Sequence, residues 1–131
     1  MKIYFDKNKS KQVLADTGQH IIKTDQPEMA GGHNEAPAPF NLFLASLGTC
    51  AGIYIKNFCD QRGIDASEIT LDQKVDFHPI KQMINRIRMI INVPADFPEK
   101  YDNALIKSAE QCAVKRHLHS DIEMKTRVER N

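Results

Sequence analysis

Apolar and polar positions change their period several times along the chain, and each change marks an element. KIYFD (2–6) and QVLAD (12–16) flank a polar KNKSK turn, and HIIKTD (20–25) follows Gly18, which predicts three short strands. Residues 26–39 hold Pro27, Gly31, Gly32, Pro37 and Pro39 and read as a loop. From Phe40 to Cys59 the period becomes helical. Phe43, Leu47, Cys50, Tyr54 and Phe58 recur at spacings of four, three, four and four, so they share one helix face. The other faces are also poor in charge, with no Asp, Glu, Lys or Arg between Phe40 and Ile55. A helix apolar all round is a buried helix. A small domain rarely encloses one alone, so the pattern asks for a partner subunit. Gly63, in DQRG, supplies the stop signal.

Alternation then takes over. In ITLDQKVDF (69–77), Ile69, Leu71, Val75 and Phe77 alternate with Thr70, Asp72, Lys74 and Asp76. In INRIRMIINV (84–93), Ile87, Met89, Ile91 and Val93 share one face, with Arg86 and Arg88 on the other. The short HPIKQ connection predicts an antiparallel pair. Pro94 ends the second strand, and Pro98 stands where a first helical turn begins. Tyr101, Leu105, Ala109 and Cys112 form an apolar stripe at helical spacing, so Cys112 closes a second helix. DIEMKTRVER (121–130) alternates Ile122, Met124 and Val128 against charges and reads as a last strand. The expected fold is one α+β domain over residues 1–131: an antiparallel sheet, a long buried central helix and a second, amphipathic helix.

Composition narrows the function classes. Eighteen basic residues against seventeen acidic ones leave almost no net charge, whereas a dedicated nucleic-acid binder carries a basic excess. The KRH cluster at 115–117 is too small to change that. No window is continuously apolar over the length of a bilayer span, and MKIYFDKNKSK lacks the apolar stretch of a signal peptide. The expected location is therefore cytoplasmic, with neither membrane nor nucleic acid as partner. The glycines at 31–32 lack the strand-to-helix phosphate pattern. Cys112, His33, His117 and His119 have no standard zinc spacing. No metal and no other cofactor is expected.

Three cysteines do not make a disulfide framework. In a reducing compartment they rest as thiols, and a disulfide formed there is transient and catalytic. Cys50 and Cys59 lie nine residues apart on one helix. They point to opposite faces about 13 Å apart along the axis, too far for a bond. Cys50 and Cys112 carry no such veto, and a pair meeting across two helices can cycle between dithiol and disulfide. The plainer alternative is that both serve as small buried hydrophobes, and Cys59 reads as a bystander. On this reading neither thiol is strongly activated. Cys50 sits mid-helix among apolar residues, and Cys112 sits near a helix C-terminus, where the dipole opposes a thiolate. Lys115, Arg116, His117 and His119 offset the latter.

The order of elements, the PFNLFLASLGTC run at 39–50 and QCAV at 111–114 together resemble the OsmC/Ohr family over nearly the whole chain. GGHNEAPAPFNLFLASLGTC matches the family's first signature, a Gly/Asn-rich loop, a proline and a Leu-rich helix reaching a cysteine. QCAVKRHL matches the second in position, with Ala113 where proline is usual. The resemblance implies an intertwined homodimer whose long helices pack at the centre, with sites at the subunit interface. It also implies that Cys50 attacks an organic hydroperoxide, that Cys112 resolves the sulfenic acid as a disulfide, and that an external dithiol restores the pair.

Two family features are displaced. Peroxidase members use an arginine from an N-terminal strand and a glutamate at the start of the long helix. Here the first arginine is Arg62, and Phe40 occupies the glutamate's position, ten before Cys50. Glu35 stands as possible support from the loop. Arg86 and Arg88 are candidates that strand alternation places on the solvent face. Two functional readings stand side by side. One is a thiol peroxidase acting on a small apolar hydroperoxide. The other is a non-catalytic dimer that binds a small apolar or thiol-reactive ligand in the same pocket.

Overall fold

The computed structural model describes residues 1–9 and 11–128. Its contacts divide the chain into two compact units, Met1–Ser46 and a second that begins at Leu47. The long helix α1 (Pro39–Asp60) contributes residues to both.

In the first unit, β1 (Lys2–Phe5), β2 (Val13–Asp16) and β3 (Ile21–Thr24) form an antiparallel meander with β2 central. Phe5 pairs with Val13 and Asp16 with Ile21. Short polar side chains make the turns. Asp6 accepts the backbone N–H of Asn8 and Lys9 at 2.7 and 3.0 Å, and Asp16 accepts that of Gly18 at 2.7 Å. Ile3, Phe5 and Ile21 leave the sheet exposed within this chain, Phe5 by 77%. The loop after β3 is built around Asp25, whose side chain is fully buried. A 3-10 turn at Glu28–Ala30 ends on Gly31, in the left-handed region at φ 81°. A Cβ on the next residue, Gly32, would lie 1.9 Å from the Gln26 carbonyl oxygen, so only glycine fits there. Pro39 then opens α1, where its missing N–H costs nothing.

The second unit contains the rest of α1, the hairpin of β4 (Thr70–Phe77) and β5 (Ile84–Asn92), then α2 (Asp102–Ala109) and α3 (Ala113–Arg116). Its core is Ile55, Phe58, Cys59, Phe97 and Leu105, with Ile69, Leu71, Ile91 and Tyr101 packed against it. Each such aliphatic or aromatic side chain contributes about 1.5–3 kcal/mol when fully buried. Phe58 meets Tyr101 edge-on at 5.8 Å, and the Arg62 guanidinium stacks 3.8 Å from the Phe58 ring centre.

The α+β class and the five strands agree with the pattern of the sequence, but the strands make two separate antiparallel sheets. Three other expectations are corrected. First, α1 buries a single stripe within this chain, Leu47, Ala51, Ile55, Phe58 and Cys59, and leaves Phe40 and Ile53 exposed. Cys59 is therefore core, and Cys50 and Tyr54 are only half-buried. Second, α1 is long and apolar enough to cross a bilayer by length and composition. Asn41, Ser46 and Thr49 interrupt its apolar run without charging it. Third, residues 121–128 form no strand, and Val128 is 82% exposed. Alternation alone makes no strand without an edge to take its N–H and C=O groups, and none of the described strands pairs with this segment. Residues 129–130 of that expected strand lie outside the described residues.

Candidate functional site

The second unit brings Cys50 and Cys112 together through the antiparallel packing of α2 on α1. Ser108 donates from Oγ to the Tyr54 carbonyl at 3.0 Å. Ser108 lies four residues before Cys112 and Tyr54 one turn after Cys50, so the two segments run antiparallel and the cysteines come level. The Cys112 thiol, 1% exposed, reaches back to the Leu47 carbonyl at 3.8 Å. It also lies within hydrogen-bonding reach of Cys50. All three cysteines are free thiols.

Cys112 does not close α2, as the stripe predicted, because α2 ends at Ala109. After a turn at Glu110–Gln111 the chain restarts as α3, and Cys112 is its N-cap, with Sγ accepting the Lys115 N–H at 3.4 Å. The first N–H groups of a helix have no partner inside it. Here those of Val114 and Ala113 turn to the Cys50 sulfur. Val114 N–H, the Cys112 thiol, Ala113 N–H and the charge of Arg116 together hold the Cys50 thiol below its ordinary value, against a smaller opposing effect of burial. Burial pushes the Cys112 thiol up, and the neighbouring Cys50 adds to that, against the Lys115 N–H. The two sulfurs are thus differentiated: one disposed to be thiolate, the other to stay a thiol and donate to it. Burial and the charge of Asp60 raise the Cys59 thiol.

Outside the helix that carries Cys50, the donors come from α3. Its four residues are too few for a periodicity signal. The only trace in the sequence is a possible cap followed by the cations Lys115 and Arg116.

Glu35 belongs to the first unit and is engaged there. Lys9 donates to it at 2.8 Å, Gln12 at 2.8 Å and Lys23 at 3.5 Å. Those bonds, Lys9 first, hold its carboxyl at about 2. Phe40, at the family glutamate's position, stacks with Phe43 at 5.8 Å.

A cavity of about 600 Å³ opens beside Cys112, walled by Leu47 of α1, Ile87, Met89 and Ile91 of β5, and Ile106 of α2. Arg86 also lines it, contrary to the expectation from alternation. The register shifts between Asp76 and Phe77, so that Phe77 pairs with Ile84, Asp76 with Arg86, and Asn85 is the extra residue of a bulge. Asn85, Arg86 and Ile87 consequently all reach the cavity, where a regular strand would send alternate residues away. Arg88 keeps the expected outer position and binds Asp76. His117 caps the end of α3, and among the described residues no three His, Cys, Asp or Glu side chains gather around a common point.

No curated protein matches the chain in sequence. Several solved structures share its fold. A protein of Psychrobacter arcticus 273-4, described as an osmotic-stress-induced and detoxification-response protein, superposes with a TM-score of 0.69 at 20% identity, covering 92% of this chain and 88% of that one. An organic hydroperoxide resistance protein of Elizabethkingia anophelis gives 0.57 at 23% identity, over 86% and 82% of the two chains. OhrB of Bacillus subtilis, another such protein, gives 0.55 at 18% identity, over 92% and 90%. The family model described as OsmC-like protein matches residues 32–127, a span that holds both Cys50 and Cys112, and the chain belongs to that family.

Proposed function

We propose that the protein reduces organic hydroperoxides with Cys50 and Cys112 as a redox pair, in the cytoplasm, as a homodimer. The observation that carries this reading is the opposite bias of two adjacent thiols, Cys50 lowered by N–H donors and Cys112 raised by burial. Nucleophilic attack needs a thiolate, and resolution needs a second thiol within reach.

The Cys50 thiolate attacks one oxygen of the hydroperoxide. The O–O bond breaks, the sulfur is oxidised to a sulfenic acid, and the leaving alkoxide takes a proton to become an alcohol. Cys112 then attacks the sulfenic sulfur, forming the disulfide and releasing water. An external dithiol reduces the disulfide, is itself oxidised and returns both thiols. In this reading the Ala113 and Val114 N–H groups and Arg116 take the part of the family's arginine. Glu35, with its carboxylate engaged by Lys9, Gln12 and Lys23, is left to ordering the loop.

The dimer is supported by apolar surface that one chain leaves uncovered: Phe40 and Ile53 on α1, and Ile3, Phe5 and Ile21 on the first sheet. Sedimentation checks it, and a monomer at micromolar concentration defeats it.

Mass spectrometry after one equivalent of cumene hydroperoxide tests the chemistry. The expected product is a Cys50–Cys112 disulfide. Cys112→Ser should leave a Cys50 sulfenic acid that dimedone traps, and Cys50→Ser should leave Cys112 reduced. Oxidation no faster than that of free cysteine would defeat the peroxidase reading in favour of the ligand-binding one, for which the cavity beside Cys112 is the specific support.

A further inference from the structure

Two hydrogen bonds of different kinds meet at Ser108. Its Oγ donates across to the Tyr54 carbonyl of α1 at 3.0 Å. Its own carbonyl accepts the Gln111 N–H at 3.1 Å, in the turn that follows α2. The next bond of that turn joins the Cys112 N–H to the Ala109 carbonyl at 3.3 Å, and the Cys112 carbonyl then accepts the Arg116 N–H of α3 at 3.2 Å. A continuous bonded path therefore runs from α1 through Ser108 and the turn to Cys112 and α3. A serine inside a helix commonly returns its hydroxyl to a carbonyl one turn back in the same helix. Ser108, half-buried, gives its hydroxyl to α1. Further along α2 the attachment to α1 is apolar, with Leu105 in one core with Ile55 and Phe58. Apolar burial is non-directional and leaves one helix free to slide on another. A hydroxyl on a carbonyl has a preferred distance and angle, and fixes that slide.

We propose that Ser108 is the positioning residue of the thiol pair: its hydroxyl, anchored on α1, sets where the turn delivers the Cys112 sulfur and the first N–H groups of α3 relative to Cys50. Tyr54 is one turn beyond Cys50 on the same rigid helix, so a bond at its carbonyl fixes the level of the sulfurs. In the hydroperoxide cycle the contribution falls on the second step. There the Cys112 sulfur attacks the Cys50 sulfenic sulfur, the S–S bond forms, the S–O bond breaks, and the hydroxide leaves as water with the Cys112 proton. That step requires the two sulfurs to be in line. The inference deepens the proposed function and rests on it only for that step.

The experiment has two readouts. Alkylation of Cys50 by iodoacetamide as a function of pH, followed by mass spectrometry, uses no hydroperoxide. Ser108→Ala should move its midpoint up in pH, because the α3 donors are held less closely. The lifetime of the Cys50 sulfenic acid after cumene hydroperoxide, trapped with dimedone, should lengthen about fivefold, the worth of one ordinary hydrogen bond. Ser108→Thr, which keeps the hydroxyl, should restore both quantities. Ser108→Val has the shape of threonine without the hydroxyl and should behave as Ser108→Ala, so the Thr and Val pair repeats the test at constant shape should the alanine variant not fold. A hydroxyl that served stability alone would change the urea midpoint and leave the alkylation midpoint in place, which overturns the inference. So do equal midpoints and lifetimes in the Thr and Val variants. An alkylation midpoint that follows the hydroxyl, without any oxidation by hydroperoxide, keeps the positioning and removes the peroxidase. Rapid disulfide formation indifferent to the side chain at 108 removes the positioning and keeps the peroxidase.

Discussion

Each of the two units holds one potential anion with backbone N–H groups, to opposite ends. In the first, Asp25 is buried, which alone would raise its carboxyl. The N–H groups of Gln26, Glu35 and His33 and the Gln12 amide outweigh that and hold it at about 2. In the second, Cys50 receives N–H groups from Val114 and Ala113 and the thiol of Cys112. The device is the same: donors converging on one point. The difference lies in the acid. A carboxyl so favoured is charged at every physiological pH, and its permanent charge fixes the loop from Gln26 to Glu35. A thiol starts far higher, and donors that lower it favour its thiolate, the reactive form of sulfur. Surrounding donors therefore make a structural clasp or a reactive centre according to the group they surround.

The strongest break of this comparison is Gly32→Ala. The added methyl would meet the Gln26 carbonyl at 1.9 Å and Asp25 Oδ1 at 2.8 Å. Backbone cannot yield as a side-chain tip can, so the clasp has to open. The expected loss is about 3 kcal/mol, at the upper end for a single substitution, read from the urea midpoint. A variant as stable as the unaltered protein would mean that the loop is not held by Asp25.

Ala113→Pro sharpens the other half. Proline suits the first position of a helix, so α3 should persist, but it has no N–H to offer Cys50. One charge-assisted donor is removed with little else changed. The midpoint for alkylation of Cys50 should move up in pH, and its rate with cumene hydroperoxide at neutral pH should fall about tenfold. An unmoved midpoint would show that this N–H contributes nothing, and the thiolate would rest on Val114, Cys112 and Arg116.

The same contrast governs what the sequence discloses. Periodicity marks α1, β4, β5 and the stripe of α2, because each repeats often enough to show a face. The pairing of Cys50 with Cys112 is open to inference because both lie on or beside such elements. The donors are not, because α3 has four residues and its effect is exerted on a residue more than sixty positions away. Arg86 escapes for a related reason: a bulge inserts one residue beside it, and nothing in INRIRMIINV announces it. Asp25 and Gly32 look like ordinary loop residues, since hydrogen bonds closing a loop have no period. The pattern overstates the burial of α1 because an apolar surface shows that cover is needed, not that the same chain provides it.

The smallest effect predicted is the pH dependence of stability, and the two regions should give it opposite shapes. Asp25 and Glu35 fall from unfolded values of 3.8 and 4.5 to about 2 in the fold. A depressed carboxyl contributes stability that is complete above its unfolded value and is lost as pH falls through the folded one. The first unit should therefore weaken steadily from about pH 4.5 to about pH 2. Asp25→Asn should flatten part of that acid limb. On the alkaline side the thiols oppose each other. Cys50, lowered in the fold, favours folding once the unfolded thiol would ionise. Cys112, raised, disfavours folding as pH rises above that unfolded value, and so does Cys59. Stability should therefore rise as pH approaches the unfolded thiol value and fall above it. Denaturant unfolding at acid, neutral and alkaline pH distinguishes the cases. A flat acid limb would mean that the carboxylates of the first unit are not held by their donors. A steep alkaline limb that Cys50→Ser abolishes would mean that Cys112 does not share its titration, and the two sulfurs would then act as independent groups.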